Sequence, residues 1–494
     1  MREKKLFWNT VTSIINQVAT IVCAFILPRL ILSTFGSDVN GLLSSIQQFL
    51  AVITFLDLGI GAVVQSSLYR PLSTQDISEI SKIMVSANKY FRKIAFAIIA
   101  YIVGLLFAYP WISHSTFDSV YSGTLILAMS ISYFAQYFFG LRNQLLLSAD
   151  QRGYIHYLLS RLVLILNNIL CVFLIRAGYS IQVVKFTTAV VLLIRPLVMQ
   201  IYVKRHYAIN WKIQYTGEPI KQKWNGIAQH LATVVLNSTD TIVLTIFATL
   251  KDVSIYNVYY LVLNGLKNLV LSFSNGYTSY FGSMLAQKEY NLLRRRFNDY
   301  ETIYHAIITY IYGCTTVLIM PFVKVYTHGV TDVNYIVPAF AYLICFANMA
   351  YCFRSPYNSL VLAAGHYKQT EKSAWIEMAL NIVISVVTVI RYGLVGVAIG
   401  TLVAMVYRTV YLAWYTGKNF LSRNMKIFTA HISVDVACVA TLFPSTKHFF
   451  DNTISNYFEW ILLGIKVAVI YAVICIVLNG FLYVVFLKDK EDER

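Results

Sequence analysis

Charged side chains occur inside the long apolar segments of this sequence, where such residues are rare and usually functional or paired. Nine of them are cations, namely Arg29, Arg142, Arg161, Lys185, Arg195, Lys267, Arg354, Arg408 and Lys466. Four are anions, namely Asp57, Asp240, Glu377 and Asp435. Pairing neutralises at most four of these nine cations. The others must reach a lipid headgroup, face water or meet an anionic ligand.

Depth in the apolar segments separates the cations into groups. Arg195, Lys267, Arg354 and Arg408 are the deepest, and we expect them to face a cavity, because exposing a charge to hydrocarbon costs about 3 kcal/mol or more. There they would bind an anionic group. Arg142 and Arg161 lie near a segment end, so they either join such a site or extend to the headgroups. We expect the side chains of Arg29, Lys185 and Lys466 to extend to the lipid headgroups.

The anions and buried amides have two interpretations each. Asp57, Asp240 and Glu377 either pair with the deep cations or bind a coupling ion or proton, whereas Asp435 is predicted to be structural. Polar residues in the first segment recur at helical spacing and share a face. The predicted polar cavity face comprises Asn9, Asn16, Asn168 and Asn381. The alternative is that these amides hold helices together by hydrogen bonds.

The elements that position these residues are predicted to be membrane-spanning helices. Of all residues 57% are hydrophobic and 13% are charged, and a span needs about 20 apolar residues. About fourteen such segments fit. They lie near 6–32, 41–67, 94–113, 121–147, 155–176, 181–203, 225–250, 254–283, 303–323, 335–362, 373–390, 394–416, 428–445 and 458–487. The prediction is an all-α polytopic membrane protein.

The charge of the loops predicts the orientation of the chain. Lysines and arginines concentrate in one alternating set of loops, including Arg294, Arg295 and Arg296. By the positive-inside rule these loops and both termini are cytoplasmic. The formal net charge of +17 is then explained by basic loops that fix the topology and lie against anionic lipid headgroups. Nucleic acid is therefore not expected as a partner.

An internal repeat predicts two similar halves. FFGLRNQLLLSADQ in span 4 aligns with CFRSPYNSLVLAAGH in span 10, and Arg195 aligns with Arg408 at nearly the same offset. Spans 1–6 therefore map onto spans 7–12. The predicted organisation is an N-terminal six-helix lobe at 1–205, a C-terminal six-helix lobe at 206–424, and two further helices with a tail at 425–494.

No enzymatic signature is found in the sequence. Gly-rich phosphate loops, HExxH and GxSxG are absent. His230, His305 and His431 are predicted to be packing residues. The seven cysteines lie in apolar segments without metal-binding spacing. We therefore expect no catalytic residues, no metal and no cofactor.

The chain resembles polysaccharide flippases of the multidrug/oligosaccharidyl-lipid/polysaccharide exporter superfamily. The resemblance is carried by KKLFWNTVTSIINQV, by PRLILSTFGSDVNGLLSSIQQFLAVITFLDLGIGAVV and by NSTDTIVLTIFATLKDVSIYNVYYLV. It implies two six-helix lobes around a cavity and translocation of polyprenyl-diphosphate oligosaccharides. The products would be capsule, exopolysaccharide, O-antigen or teichoic acid. It also implies a bacterial plasma membrane, and a polymerase and glycosyltransferases of the same pathway as partners. Spans 13 and 14 resemble the extension of lipid II flippases.

Two other functions compete with this interpretation. An ion-coupled drug or cation antiporter of the same superfamily would need an anionic cavity, whereas the excess of deep charge here is cationic. A membrane polysaccharide polymerase would usually place catalytic residues in sizeable outer loops, and the predicted outer loops, such as His114–Val120, are short.

Overall fold

The computed structural model describes residues 2–57, 60–113, 117–220, 227–446 and 454–482. Within these ranges the side chains of 2–22, 57, 62, 227–230, 232–233, 275–276, 279, 443, 445–446 and 481–482 are not described. All regular elements in the described ranges are helical. The predicted all-α class is confirmed.

The chain divides into two compact units, Met1–Ser254 and Ile255–Arg494. The helices of the first unit are α1 (Arg2–Val52), α2 (Ile60–Thr74), α3 (Ile77–Ile112), α4 (Ser119–Ala135), α5 (Leu141–Ala149), α6 (Gly153–Arg176), α7 (Ile181–His206) and α8 (Ile227–Phe247). The predicted lobe boundary at 205/206 stays a prediction.

The boundary between the units falls within α9 (Leu250–Ala286). The remaining helices are α10 (Tyr290–Tyr326), α11 (Pro338–Phe353), α12 (Ser355–Ala363), α13 (Glu371–Tyr392), α14 (Leu394–Thr416), α15 (Lys426–Thr446) and α16 (Tyr457–Leu482). Across the described residues, nine helical stretches are long and apolar enough to cross a membrane. Every predicted span overlaps a helix, so the chain is a multi-pass membrane protein.

Gly36 has φ 83° inside α1 and separates two helical stretches, between the predicted spans 6–32 and 41–67, a conformation that glycine adopts without a steric penalty. Two other predicted spans are interrupted rather than continuous. Span 4 contains a π-helical turn at Gln136–Gly140 between α4 and α5. Span 10 is interrupted at Arg354, between α11 and α12. The two spans that the repeat aligns are therefore both interrupted.

Small residues allow close helix packing in the second unit. A Cβ atom at Gly400 of α14 would lie 2.6 Å from the backbone nitrogen of Ser385 on α13, and one at Gly396 would lie 2.4 Å from the carbonyl of Thr388. Glycines four residues apart are a common contact surface between membrane helices, because the two backbones can then approach closely. This contact fixes α13 and α14, which carry two of the buried charges.

The last two helices pack against α10. Their shared core includes Val317, Cys438, Val467 and Tyr471. The indole Nε1 of Trp460 donates a hydrogen bond of 3.1 Å to the Leu318 carbonyl oxygen. Helices α15 and α16 are thus an integral part of the second unit.

Candidate anion-binding site

A buried ion-pair network lies in the second unit around Glu377 of α13. The Arg354 guanidinium donates from Nη1 to Glu377 Oε1 at 2.5 Å, and Arg408 Nε lies 3.6 Å from Oε2. One carboxylate is therefore shared by two arginines. Glu377 thus contacts two of the deep cations, and the choice between its two predicted roles stays open.

The break between α11 and α12 positions Arg354. Arg354 ends α11, and Ser355 and Pro356 begin α12; proline is favoured at a helix start because its fixed φ suits the first turn. The Arg354 guanidinium carbon lies 3.8 Å from the ring centre of Tyr351. Such a contact attracts the cation to the negative face of the ring.

A third cation lies on the same aromatic ring. Lys267 Nζ of α9 lies 5.1 Å from the ring centre of Tyr351 and 5.6 Å from that of Tyr260. Lys267, Arg354 and Arg408 with the single anion Glu377 leave an excess of two positive charges. We call these four residues with Tyr351 the α9–α14 cationic cluster. Its excess charge suits an anionic ligand.

The two arginines of this cluster differ in accessibility. The Arg408 side chain is 2% exposed, whereas that of Arg354 is 13% exposed. Arg408 donates from Nη1 to the Thr370 carbonyl oxygen and to the Ser373 hydroxyl, so it ties α14 to the start of α13. Arg354 and Lys267 are the better placed to meet a ligand.

Two of the predicted cations of the first unit, Arg195 and Arg142, have neutral hydrogen-bond partners. Arg195 of α7 donates to Gln136 Oε1 in the π-helical turn and lies 3.5 Å from the Ser160 hydroxyl. Arg142 of α5 donates to Asn88 and, at 3.0 Å, to Gln200 Oε1. Amide oxygens orient a guanidinium without cancelling its charge.

The remaining candidates of the first unit are less closely grouped. Arg142 also lies 4.7 Å from the ring centre of Trp211. Arg161 is half-buried on α6, and Asp240 is buried on α8. The side chains of Asn9, Asn16 and Asp57 lie outside the described residues, and their roles stay predictions.

The two described amides of the predicted polar face bond to helices. Asn168 donates to the Leu164 carbonyl oxygen of its own helix at 2.9 Å. Asn381 donates to Thr401 Oγ1 at 3.1 Å and joins α13 to α14. Only the Asn381 contact is that of the interhelical alternative, and the cavity role of both residues stays a prediction.

A second buried polar cluster was not predicted as a site. It joins Glu301 and His305 of α10, Tyr357 of α12, Arg423, and His431 and Asp435 of α15. Glu301, His305 and Thr309 recur every four residues, as do His431 and Asp435. That spacing places each set on one helix face and is the sequence signal that could have revealed the cluster.

No protein-family model and no curated protein sequence matches the chain. Solved structures do match. One described as the lipid II flippase MurJ in an inward closed conformation has TM-score 0.71 at 15% identity, over 95% of this chain and 99% of that chain. An inward-facing multidrug resistance MATE family transporter of the MOP superfamily has TM-score 0.67 at 12% identity, over 81% of this chain and 94% of that chain.

The chain has the MurJ and MATE fold. A further match is a MOP superfamily transporter from Pyrococcus furiosus described as having a binding pocket of reverse polarity, with TM-score 0.56 at 12% identity over 85% of this chain and 97% of that chain. The superfamily resemblance expected from the sequence is confirmed at the level of the fold. The polysaccharide subtype stays a prediction.

Proposed function

We propose that this protein translocates an oligosaccharide linked to a polyprenyl diphosphate across the plasma membrane by alternating access. The observation that carries the proposal is the α9–α14 cationic cluster, with its excess of two positive charges around Tyr351. The MurJ and MATE fold supports a transporter.

The chemistry of the cluster fits a diphosphate. A guanidinium group recognises phosphate oxygens through its planar fork, and an ammonium group binds them as a point charge. Lys267 and Arg354 both lie on Tyr351, so a diphosphate could accept from both at once. Its negative charge would offset the excess positive charge, which is costly in a medium of low dielectric constant.

Glu377 would set the geometry of the site before a ligand binds. It accepts from Arg354 at 2.5 Å while Arg408 keeps it in place. An arriving phosphate would compete with Glu377 for the Arg354 guanidinium. We infer that Glu377 compensates the charge of the buried Arg354 until a phosphate replaces it.

The alternative is an ion-coupled antiporter of drugs or cations. The fold alone fits both functions, since MATE transporters share it. The sign of the charge favours the flippase, because the anion of the cluster, Glu377, is buried and shared by two arginines. A cationic drug would meet repulsion from the excess positive charge.

A binding measurement tests the proposal. Native mass spectrometry of the detergent-solubilised protein with undecaprenyl diphosphate should show a complex that Lys267→Gln and Arg354→Gln each weaken by roughly tenfold or more, since a hydrogen bond to a charged group contributes about 1.5–3 kcal/mol. The matched control is Arg391→Gln, an exposed arginine at the end of α13. Equal binding by all four proteins would contradict the proposed site.

A further inference from the structure

The buried cluster between α10 and α15 forms a continuous hydrogen-bonded chain. Thr309 Oγ1 donates to Asp435 Oδ1 at 2.6 Å, and His305 Nδ1 lies 2.7 Å from Asp435 Oδ2. His305 Nε2 lies 3.4 Å from the Tyr357 hydroxyl oxygen, and that hydroxyl donates to Glu301 Oε1 at 2.5 Å. Glu301 in turn accepts from Arg423 at 2.6 Å.

The proton positions along this chain follow from the acceptors. The Asp435 carboxylate only accepts, so His305 carries a hydrogen on Nδ1. The Tyr357 hydroxyl hydrogen points to Glu301, so its oxygen presents lone pairs to His305 Nε2. In a neutral imidazole Nε2 also presents a lone pair. A hydrogen on Nε2 would convert this unfavourable contact into a donated bond.

The charge of the cluster also requires a proton. With neutral imidazoles, Glu301 and Asp435 are opposed only by Arg423, which leaves one excess negative charge among the residues described around His305. Glu301 and His305 are 0% exposed, and Asp435 and His431 are 2% exposed. An uncompensated charge at such a place is strongly unfavourable, and one added proton cancels it.

Two atoms of the cluster lack a hydrogen-bond partner. Glu301 Oε2 and His431 Nδ1 are both buried and unbonded among the described residues, and His431 Nε2 lies 4.0 Å from Glu301 Oε2. Both atoms are therefore able to form a hydrogen bond if the protonation of the cluster changes. In the described part of the chain no group of His, Cys, Asp and Glu is arranged to hold a metal ion, which favours a proton over a metal cation.

We propose that this cluster is a proton-binding site, in which His305 takes up one proton on Nε2 and donates it to the Tyr357 oxygen. The proton would reach His305 through Tyr357 and Glu301 from the Arg423 end, where the Arg423 side chain is 11% exposed. Helix α15 completes the site by supplying Asp435 and His431. This gives α15 a role in proton binding.

The break between α11 and α12 connects the proton site to the α9–α14 cationic cluster. Phe353 stacks on the His305 ring with centroids 4.5 Å apart, Arg354 pairs with Glu377, and Tyr357 bonds to Glu301. Three residues of the segment 353–357 therefore contact one or other of the two sites. A new bond between His305 and Tyr357 would alter the start of α12, next to Arg354. Proton binding itself does not depend on the proposed substrate.

Nuclear magnetic resonance of the full-length protein tests the proposal without any substrate. With ¹⁵N-labelled histidine in lipid nanodiscs, the imidazole signals should include one that belongs to His305 and becomes cationic as the pH is lowered. This signal should vanish in His305→Gln. It should remain in the control His206→Gln, an exposed histidine at the end of α7.

Milder variants keep the test decisive if His305→Gln does not fold. Tyr357→Phe removes the acceptor for Nε2, and Glu301→Gln removes the excess negative charge, so each should weaken proton binding by His305. A titration unchanged in both variants, or a His305 that stays neutral throughout, would overturn the proposal. A signal that responds to sodium at constant pH and not to pH would also overturn it.

Hydrogen exchange tests the link between the two sites. Mass spectrometry should detect a change in amide exchange over residues 350–365 when the wild-type protein is moved from about pH 8 to 5 after correction for intrinsic rates. The change should be absent in Glu301→Gln. A change of the same size in that variant would contradict the link.

Discussion

Glu377 illustrates how one carboxylate can hold two buried guanidinium groups. It bonds Arg354 at 2.5 Å and lies 3.6 Å from Arg408. From the sequence it was equally a partner of the cations or a coupling residue, because sequence spacing does not report which helices are neighbours. The repeat aligns Arg195 with Arg408, but Arg195 has neutral partners whereas Arg408 has a carboxylate. The two aligned arginines, Arg195 and Arg408, thus have different surroundings.

Removing the charge of Glu377 should destabilise the protein. Glu377→Gln leaves Arg354 and Arg408 uncompensated, and breaking a buried pair in this way costs about 3–5 kcal/mol. We expect a clearly lower thermal unfolding midpoint in detergent. Glu371→Gln on the same helix, whose carboxylate accepts from Trp375 at 3.3 Å, is the control and should change little. Equal midpoints for Glu377→Gln and the wild type would contradict a structural ion pair.

Helix positions were predictable from hydropathy, whereas helix interruptions were not. The predicted spans 155–176 and 394–416 differ from α6 and α14 by at most two residues, because apolar length alone fixes such helices. The break at Arg354 lies inside the predicted span 335–362, so hydropathy does not reveal it.

The proton site was missed for a related reason. Helix α10 begins at Tyr290, well before the predicted span at 303, so Glu301 falls outside that span. His305 then has no acidic residue in its own predicted span, whereas His431 has Asp435 four residues later. A polar extension of a membrane helix has no hydropathy signal, and only the four-residue spacing of its polar residues indicates it.

Close packing of α13 and α14 should be sensitive to a single methyl group. Gly400→Ala places a Cβ 2.6 Å from the Ser385 backbone nitrogen, and overpacking of this kind costs about 1–3 kcal/mol. Gly464→Ala is the control, since its Cβ would lie 3.8 Å from Leu318 Cδ1, an ordinary contact. Thermal unfolding in detergent should separate the two, and an equal or higher midpoint for Gly400→Ala would contradict the packing argument.

At the scale of the whole molecule, the chain shares its fold with MurJ and MATE structures, and our proposal for its substrate rests on the charges. MurJ and MATE structures share the fold at 15% and 12% identity, so the fold does not choose between a lipid-linked sugar and a drug. In our account, the excess of deep cations favours the lipid-linked sugar over the drug. The orientation of the chain rests separately on the loop charges.

Topology is testable by cysteine labelling of intact cells. We expect position 295, between Arg294 and Arg296 near the start of α10, to be cytoplasmic because basic segments flanking membrane spans stay on that side. Arg295→Cys should therefore resist a membrane-impermeant maleimide until the membrane is opened, with the wild type reporting background from the native cysteines. Labelling from outside in intact cells would reverse the assigned orientation.

Translocation in reconstituted liposomes is the most direct test of the central claim. The purified protein should move an undecaprenyl-diphosphate-linked sugar from one leaflet to the other, and mass analysis should find the lipid unaltered. Arg354→Gln should slow this movement by roughly tenfold or more, in line with the lost phosphate contact. Unaltered substrate on the opposite leaflet is the result that our account predicts. A lengthened glycan chain, or movement of a cationic dye without the lipid-linked sugar, would contradict it.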